Sequence, residues 1–257
     1  MRLLVTNDDG VDSPFFQVLV RALLAAGHDI LVAAPKQEQS WIGAAKSRAR
    51  PVHSVRAEKG LGCPTWVVDG TPSDCVNIAI GHLIDRPVDG VVSGINIGLN
   101  TTLGFILASG TIAGAWEGAL HGLPAFACSQ EVTDETYEDL KSARGGVPDS
   151  LAATLAVSAR HAARMAPVLL GATGRNRFVV HNVNFPLHCA DATEVRRTVP
   201  ARLMVPGLFS PRNDEGTHRL IFSVGEDVSP PELPSDRAAI AAGLISHTVL
   251  DYTALGR

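Results

Sequence analysis

Two adjacent carboxylates, Asp8 and Asp9, stand directly behind a short apolar run, Leu3 to Thr6, and Gly10 follows them. Like charges this close repel, and consecutive side chains of an extended chain point to opposite faces. They meet at one point only if the chain turns, which Gly10 permits. A hard divalent cation relieves such crowding, because magnesium, manganese and calcium take oxygen ligands. The same residues also make an ordinary Asp-Asp-Gly turn, with one aspartate capping the helix that starts near Ser13. A second polar loop is Ser93-Gly94-Ile95-Asn96-Ile97-Gly98-Leu99-Asn100. Its glycines let backbone approach a ligand, and an asparagine carbonyl can complete an oxygen-rich shell; a Gly/Asn turn that satisfies its own backbone is the simpler account. A third loop, Ser109-Gly110-Thr111, falls at a helix start, where free N–H groups and the positive dipole end favour an anion. Plain N-capping would use the same residues.

Other chemistries are poorly supplied. The chain has neither G-x-x-x-x-G-K-[ST] nor G-x-G-x-x-G, and its first βα loop carries acids that would repel a pyrophosphate unless a metal intervened. There is no G-x-S-x-G elbow for an α/β-hydrolase. Cys63, Cys75, Cys128 and Cys189 form no CxxC pair and read as buried, reduced thiols. His181 and His247 read as partly buried structural histidines, with proton transfer as the alternative. Trp41, Trp66 and Trp116 read as packing residues, Trp41 lying in an irregular loop.

The elements that must position these loops alternate strand and helix. Leu3–Thr6 is a strand buried on both faces. Ser13-Pro14 offers a cap and a first-turn proline, Phe16, Val18, Leu19, Leu23 and Leu24 make one helical face, and Gly27 stops it. A strand over 28–34 ends at Pro35, and an irregular stretch over 36–62 includes an extra strand near 52–55. Further strands are predicted at 66–69, 88–93, 125–128 and 178–183. Helices are predicted from Thr71-Pro72-Ser73-Asp74, over 112–121, and from Asp149-Ser150 to about Arg164, with a mobile acidic loop expected at 131–139. This βαβα rhythm predicts an α/β protein with a Rossmann-like, doubly wound, mostly parallel sheet, whose ligands bind beyond the carboxyl ends of the strands. From about Pro200 the rhythm breaks into prolines, glycines and short apolar runs until Ser235. The expected organisation is one domain over 1–257, with an α/β core at 1–199 and an extended or antiparallel accessory segment at 200–257 for oligomerisation.

Composition narrows the partners. Of 257 residues, 46% are hydrophobic and 19% charged, which excludes intrinsic disorder. Uncharged apolar runs fall well short of the ~20 residues of a membrane span, and no signal-like segment opens the chain; a soluble, cytoplasmic protein without a membrane partner is expected. With 22 basic against 26 acidic residues the net charge is −4. No concentrated basic face for a nucleic-acid duplex is visible.

Taken in order, the polar stretches resemble the SurE (survival protein E) family of metal-dependent phosphatases. The matching segments are Thr6-Asn7-Asp8-Asp9-Gly10, Gly70-Thr71-Pro72-Ser73-Asp74-Cys75-Val76, Val92 to Asn100, Ser109-Gly110-Thr111 leading to Glu117-Gly118, Asn182-Val183-Asn184-Phe185-Pro186, and Ser235 to Ala254. The resemblance implies a homodimer or homotetramer built through the C-terminal extension. It also implies one divalent cation per subunit, magnesium or manganese, held by Asp8, Asp9, Ser40 and Asn96. Asp8 and Asp9 are then the catalytic residues, and Asn7, Gly10, Ser109, Gly110 and Thr111 the phosphate-binding set. Two departures surround that site. Lys36-Gln37-Glu38-Gln39-Ser40-Trp41-Ile42-Gly43 stands where the family has an arginine-bearing Asp-Arg-x-x-Ser-Gly, so a bidentate phosphate grip is missing, and Ala108 stands where a tyrosine usually precedes Ser-Gly-Thr.

The expected activity is hydrolysis of nucleoside 5′-monophosphates or a related small phosphorylated metabolite, by activated water or by an aspartate attacking phosphorus. Two alternatives stay open at this point: a phosphatase with one narrow substrate in a specialised pathway, and a nucleotide-binding regulatory protein that has lost catalysis.

Overall fold

A computed structural model describes residues 1–141, 147–221 and 225–255; the remaining positions of the single domain expected above lie outside the described residues. The chain runs β1 (Arg2–Thr6), α1 (Pro14–Ala25), β2 (Asp29–Pro35), β3 (Ser54–Arg56), β4 (Thr65–Val68) and α2 (Pro72–Ile78), which passes into a π-helical turn (Ala79–Leu83). Then follow β5 (Gly90–Ile97), α3 (Leu103–Ala108), α4 (Gly110–Leu120), β6 (Ala125–Gln130), α5 (Asp134–Lys141), α6 (Asp149–Thr173) and β7 (Val179–Phe185). The last part holds β8 (Val195–Thr198), β9 (Leu203–Met204), β10 (Glu226–Asp227), α7 (Asp236–Ala241) and β11 (Ile245–Asp251), closed by a 3-10 turn (Tyr252–Ala254).

Among the described residues the main sheet has nine strands in the order β3-β4-β2-β1-β5-β6-β7-β11-β8. β4, β2, β1, β5, β6 and β7 are mutually parallel. β3 lies antiparallel on one edge and β11 antiparallel to β7, with β8 parallel to β11 beyond it. The chain steps from β1 outward to β2 on one side and later to β5 on the other. The crevice between β1 and β5 is therefore the point where strand order reverses, the place where open α/β sheets bind ligands.

The alternation in β1 explains the layering. Leu3 and Val5 join a core with Phe15, Phe16 and Leu19 of α1 and Leu155, Ala159 and Leu170 of α6. Leu4 faces the other way, into a cluster with Leu31, Val68, Val76 and Val91. Consecutive residues of one short strand thus serve both faces, as a doubly covered sheet requires. α4 packs through its glycines: a Cβ at Gly114 would lie 2.8 Å from Thr6 Cγ2, and one at Gly118 2.4 Å from Val91 Cγ2. The small-residue helix is that close to β1 and β5.

Three local expectations change. The acidic stretch 131–139, read as a loop, contains the helix α5; Thr133 Oγ1 accepts from Thr136 N at 3.2 Å as a cap, and Asp134 and Glu135 in the first turn complement the helix dipole. α6 runs past Arg164 through Pro167 to Thr173, because Ala166 and Leu170 still have core to bury against. The strand expected over 88–93 runs instead from Gly90 to Ile97, with a register shift against β6 between Ser93 and Asn96. The 200–257 segment divides into a short antiparallel ribbon of β9 and β10 and a final strand, β11, that returns into the main sheet. Among the described residues no helix is long and apolar enough to cross a membrane.

Candidate active site

β1 and β5 deliver their polar ends side by side. Thr6 pairs with Ser93 across the two strands, so two residues later β1 presents Asp8 and three residues later β5 presents Asn96. Asn7 is fully buried and its Nδ2 donates to Gly10 O at 2.9 Å, which closes the turn; Gly10 takes φ +93° there, a region open to glycine. Val11 N then donates to Pro35 O at 2.9 Å and holds the turn against the end of β2. The shift of register in β5 is a bulge, a device that re-aims a side chain. It leaves Asn96 Nδ2 donating to Gly98 O at 2.7 Å, so Oδ1 is the end of that amide available as a ligand.

The two aspartates are held by different partners. Asp8 is 3% exposed; its Oδ1 accepts the Thr111 hydroxyl, and its main-chain carbonyl accepts Gln39 N at 2.7 Å. That second bond seats the loop that follows β2 and places Ser40 beside the acids. Asp9 Oδ2 accepts Ile97 N at 2.9 Å, joining the first loop to the residue next to Asn96. The first loop is thus held against the turn that carries Asn96, a contact between segments 88 residues apart that the spacing alone does not establish.

The start of α4 completes the floor. Ser109 Oγ accepts Ile112 N at 3.1 Å, the plain capping role. A Cβ on Gly110 would lie 2.8 Å from Asp8 Cβ, 2.9 Å from Asp8 Oδ2 and 2.9 Å from Gln39 O, so only glycine lets the helix terminus close on the carboxylate. Asp8, Ser40, Asn96 and Ser109 line one cleft of about 690 Å³, a volume typical of small-molecule sites. Gly110 and Thr111 sit behind Asp8, while Asn7 and Gly10 shape the turn and are not among the cleft-lining residues. Asp8, the Asn96 amide carbonyl and the Ser40 hydroxyl offer hard oxygens to this cleft, of the kind that suits magnesium or manganese; Asp9 is not among the cleft-lining residues and is tied to Ile97 N beside Asn96. The cradle at Gly110 fits such an ion, since it keeps a carboxylate oxygen at the cleft without displacing the helix. Among the described residues no group of three or more His, Cys, Asp and Glu gathers in one place, so any ion here would depend on amide and hydroxyl oxygens beside the acids.

Supporting residues lie far off in sequence. Asn100 N donates to Asn184 Oδ1 at 2.8 Å, its Nδ2 to Ser129 Oγ at 2.9 Å, and its carbonyl accepts Asn182 Nδ2 at 2.8 Å. Asp236, fully buried, accepts Thr102 N and Ala201 N at 2.8 and 2.9 Å; burial pushes its carboxyl above the usual range, against those hydrogen bonds. The loop that leaves Asn96 is therefore nailed to β6, β7 and α7. The far end of the 36–47 loop is latched too. Lys46 Nζ meets the buried Glu117 Oε2 at 2.6 Å, and Ser47 N donates to the capping Asp74 at 3.2 Å. Asn182, Asn184, Ser73 and Glu117 are visible in the sequence only as motif members, and nothing near Asp236 announces a partner 134 residues away.

The remaining candidates take structural places. His181 Nδ1 and His247 Nε2 lie 3.0 Å apart, with Thr173 Oγ1 2.5 Å from His181 Nε2. Burial, aided by the Arg197 charge, lowers both imidazoles to about 4. The four cysteines are unbridged, and burial raises the thiols of Cys75 and Cys128. Trp116 stacks on Tyr252 at 3.8 Å and Trp66 packs beside Val68 and Val76. Trp41 departs from that pattern, for it lines the cleft.

The sequence profile of the family described as Survival protein SurE matches residues 3–205. Among curated relatives, the 5′-nucleotidase SurE of Thermosynechococcus vestitus is 32% identical over 269 aligned residues, covering 98% of this chain and 91% of that protein. The 5′-nucleotidase SurE of Solidesulfovibrio magneticus is 36% identical, covering 98% and 92%. The crystal structure of the Sure protein from Aquifex aeolicus is similar in fold, with a TM-score of 0.69 at 24% identity, covering 98% of this chain and 93% of that one.

Proposed function

The chain belongs to the SurE family, and on that premise we propose that it is a divalent-metal-dependent phosphomonoesterase that hydrolyses nucleoside 5′-monophosphates. The observation that carries the reading is the meeting of Asp8, Asp9 and Asn96 at the β1/β5 crevice, tied by the Ile97 N–Asp9 bond of 2.9 Å. In this proposal Asp8, Asp9, Ser40 and Asn96 hold one magnesium or manganese ion. When bound, such an ion neutralises phosphoryl oxygens and acidifies water. The protein's own share is positioning and charge. Phosphoryl transfer passes through a loose transition state with charge spread over equatorial oxygens; in this reading Ser109, on the cleft at the start of α4, faces that charge, while Gly110 and Thr111 sit behind Asp8 and back its carboxylate. Thr111 acts through Asp8, fixing which carboxylate oxygen turns to the cleft. Asn7 and Gly10 act by holding the turn that presents Asp8.

The ribbon region exposes Met204, Phe209, Leu220 and Ile221, an apolar surface fitting the homodimer or homotetramer we infer, and we place the enzyme in the cytoplasm. The reading is tested by phosphate release from nucleoside monophosphates, sugar phosphates and short polyphosphate with magnesium or manganese. Metal-dependent release from the monophosphates, abolished by excess chelator and by Asp9→Ala, is expected. Nucleotide binding without turnover under saturating metal overturns it.

A further inference from the structure

Beyond the metal end, one wall of the cleft is aromatic. Trp41 and Phe105 meet edge to face, ring centroids 5.5 Å apart and planes at 85°, and both line the cleft, with Tyr137 of α5 also on its wall. Trp41 follows Ser40 directly, so the ring begins one residue from the end that holds the phosphate in the proposed reading.

The backbone places Trp41 there against its own preference. Its φ is +61°, a region bulky side chains rarely adopt, and such strain persists only where the surroundings over-determine it, commonly at ligand clamps. Here the loop is stitched to the site on both sides of the ring. Gln39 N donates to the Asp8 carbonyl at 2.7 Å, and Gly43 N to the Ala108 carbonyl at 2.9 Å, one residue before Ser109. A Cβ on Gly43 would stand 3.1 Å from Leu107 O, so the loop lies flat on the end of α3. Ala108, itself cleft-lining, has only a methyl group and leaves the ring its space. Trp41 nevertheless keeps 41% of its surface exposed, which is poor use of a tryptophan if packing were its purpose.

The rim excludes other occupants. Glu131, Asp134 and Glu138 line the cleft against one cation, Arg237, and Arg237 lies 3.8 Å from Asp227. An end with that balance repels a second phosphate and accepts a neutral ring. We propose that Trp41 and Phe105 form the wall on which the planar ring of the substrate packs. The preferred esters then carry a nucleobase or a comparable aromatic ring, not a bare sugar. This rests on the phosphomonoesterase reading and adds the source of its selectivity.

The test compares adenosine 5′-monophosphate with ribose 5-phosphate, in wild type, Trp41→Ala, Trp41→Phe and Phe105→Ala, at saturating magnesium or manganese. Stacking of a base on an aromatic side chain predicts a wild-type kcat/KM ratio of roughly tenfold or more in favour of the nucleotide. Trp41→Ala should cut that ratio at least about fivefold, through KM, and Trp41→Phe should restore most of it. A second readout needs no turnover: in calorimetric titration adenosine, lacking phosphate, should bind the wild type and bind Trp41→Ala at least about fivefold more weakly. A ratio near one in the wild type, or a ratio untouched by Trp41→Ala together with adenosine binding unchanged, overturns the subsite while leaving the hydrolase reading intact. Absence of phosphate release from every ester sinks the hydrolase reading instead, and the adenosine titration then decides the subsite by itself.

Discussion

Two groups of buried polar side chains interrupt the apolar sheet, one at the ends of β1 and β5 and one between β7 and β11, and they are built on opposite terms. At β7/β11 the partners satisfy one another. His181 and His247 share a contact at 3.0 Å, while Thr198 Oγ1 meets Ser246 and Thr248 hydroxyls at 2.8 Å each. At β1/β5 a charged group and an amide face a cleft: Asp8 and Asn96 line it, and their bonds to Thr111 and Gly98 fix them without closing them off. Burial of polar groups is common to both, so burial alone does not mark a site. What separates them is fixed negative charge at a strand-order reversal that opens to solvent. A neutral, mutually paired cluster is what a sheet needs to bury histidines at all.

The contrast breaks most visibly at Asp9. Asp9→Ala removes a carboxylate from the proposed ion and the acceptor for Ile97 N, and should lower metal-dependent kcat by at least about a thousandfold with the protein still folded. Phosphate release and a thermal melt on one preparation check both halves; a folded, fully active variant removes the β1/β5 cluster from the chemistry.

Next in size is a pair of identical substitutions on α4. Gly110→Ala puts a methyl 2.8 Å from Asp8 Cβ; shifting that carboxylate by about 1 Å should cost about a hundredfold in rate. Gly118→Ala puts a methyl 2.4 Å from Val91 Cγ2, in the core, and should cost about 1–3 kcal/mol of stability by overpacking while each folded molecule keeps its rate. Measuring kcat against active-site concentration, with denaturant midpoints, separates the two. Thr111→Val comes third. It deprives Asp8 of a charge-assisted donor, a loss of roughly tenfold in kcat/KM, and Thr111→Ser should recover it.

How far the sequence carries the contrast can be traced residue by residue. Asp8, Asp9 and Gly10 behind an apolar run announce a polar loop after a buried strand, and the caps at Thr71 and Ser109 mark the starts of α2 and α4, since capping is local chemistry. The adjacency of β1 and β5 is not local: it depends on crossovers through two covering layers, and the Thr6–Ser93 register leaves no trace in either segment. Asp236 reaching Thr102 is hidden for the same reason. α5 escaped because its acidic composition lacks the apolar stripe that marks a packed helix, and the end of α6 escaped because Pro167 reads as a stop. The histidines were the reverse case. Their residue type offers proton transfer, and only their pairing with each other fixes the structural reading.

The smallest effect is expected at that pair, and it appears in stability instead of rate. Burial, reinforced by Arg197 at His181 and by His181 and Arg197 at His247, holds both imidazoles at about 4 in the folded protein, against about 6.5 in an unfolded chain. Between those values the unfolded chain binds protons that the folded one refuses, so stability rises with pH across the window. It is complete above about pH 6.5 and falls as pH drops toward 4. Between pH 7 and pH 5 the loss should be about 1–2 kcal/mol for each ring, read as a shift in denaturant midpoint. His247→Gln removes one titrating ring and breaks the 3.0 Å contact; the variant starts lower at pH 7 and declines less steeply on acidification, with kcat at neutral pH within about twofold of wild type. Equal slopes for the two proteins would show that the acid limb arises elsewhere, in the carboxylates. A large loss of kcat at unchanged stability would place the β7/β11 cluster in the reaction, and the difference between the two polar clusters would no longer hold.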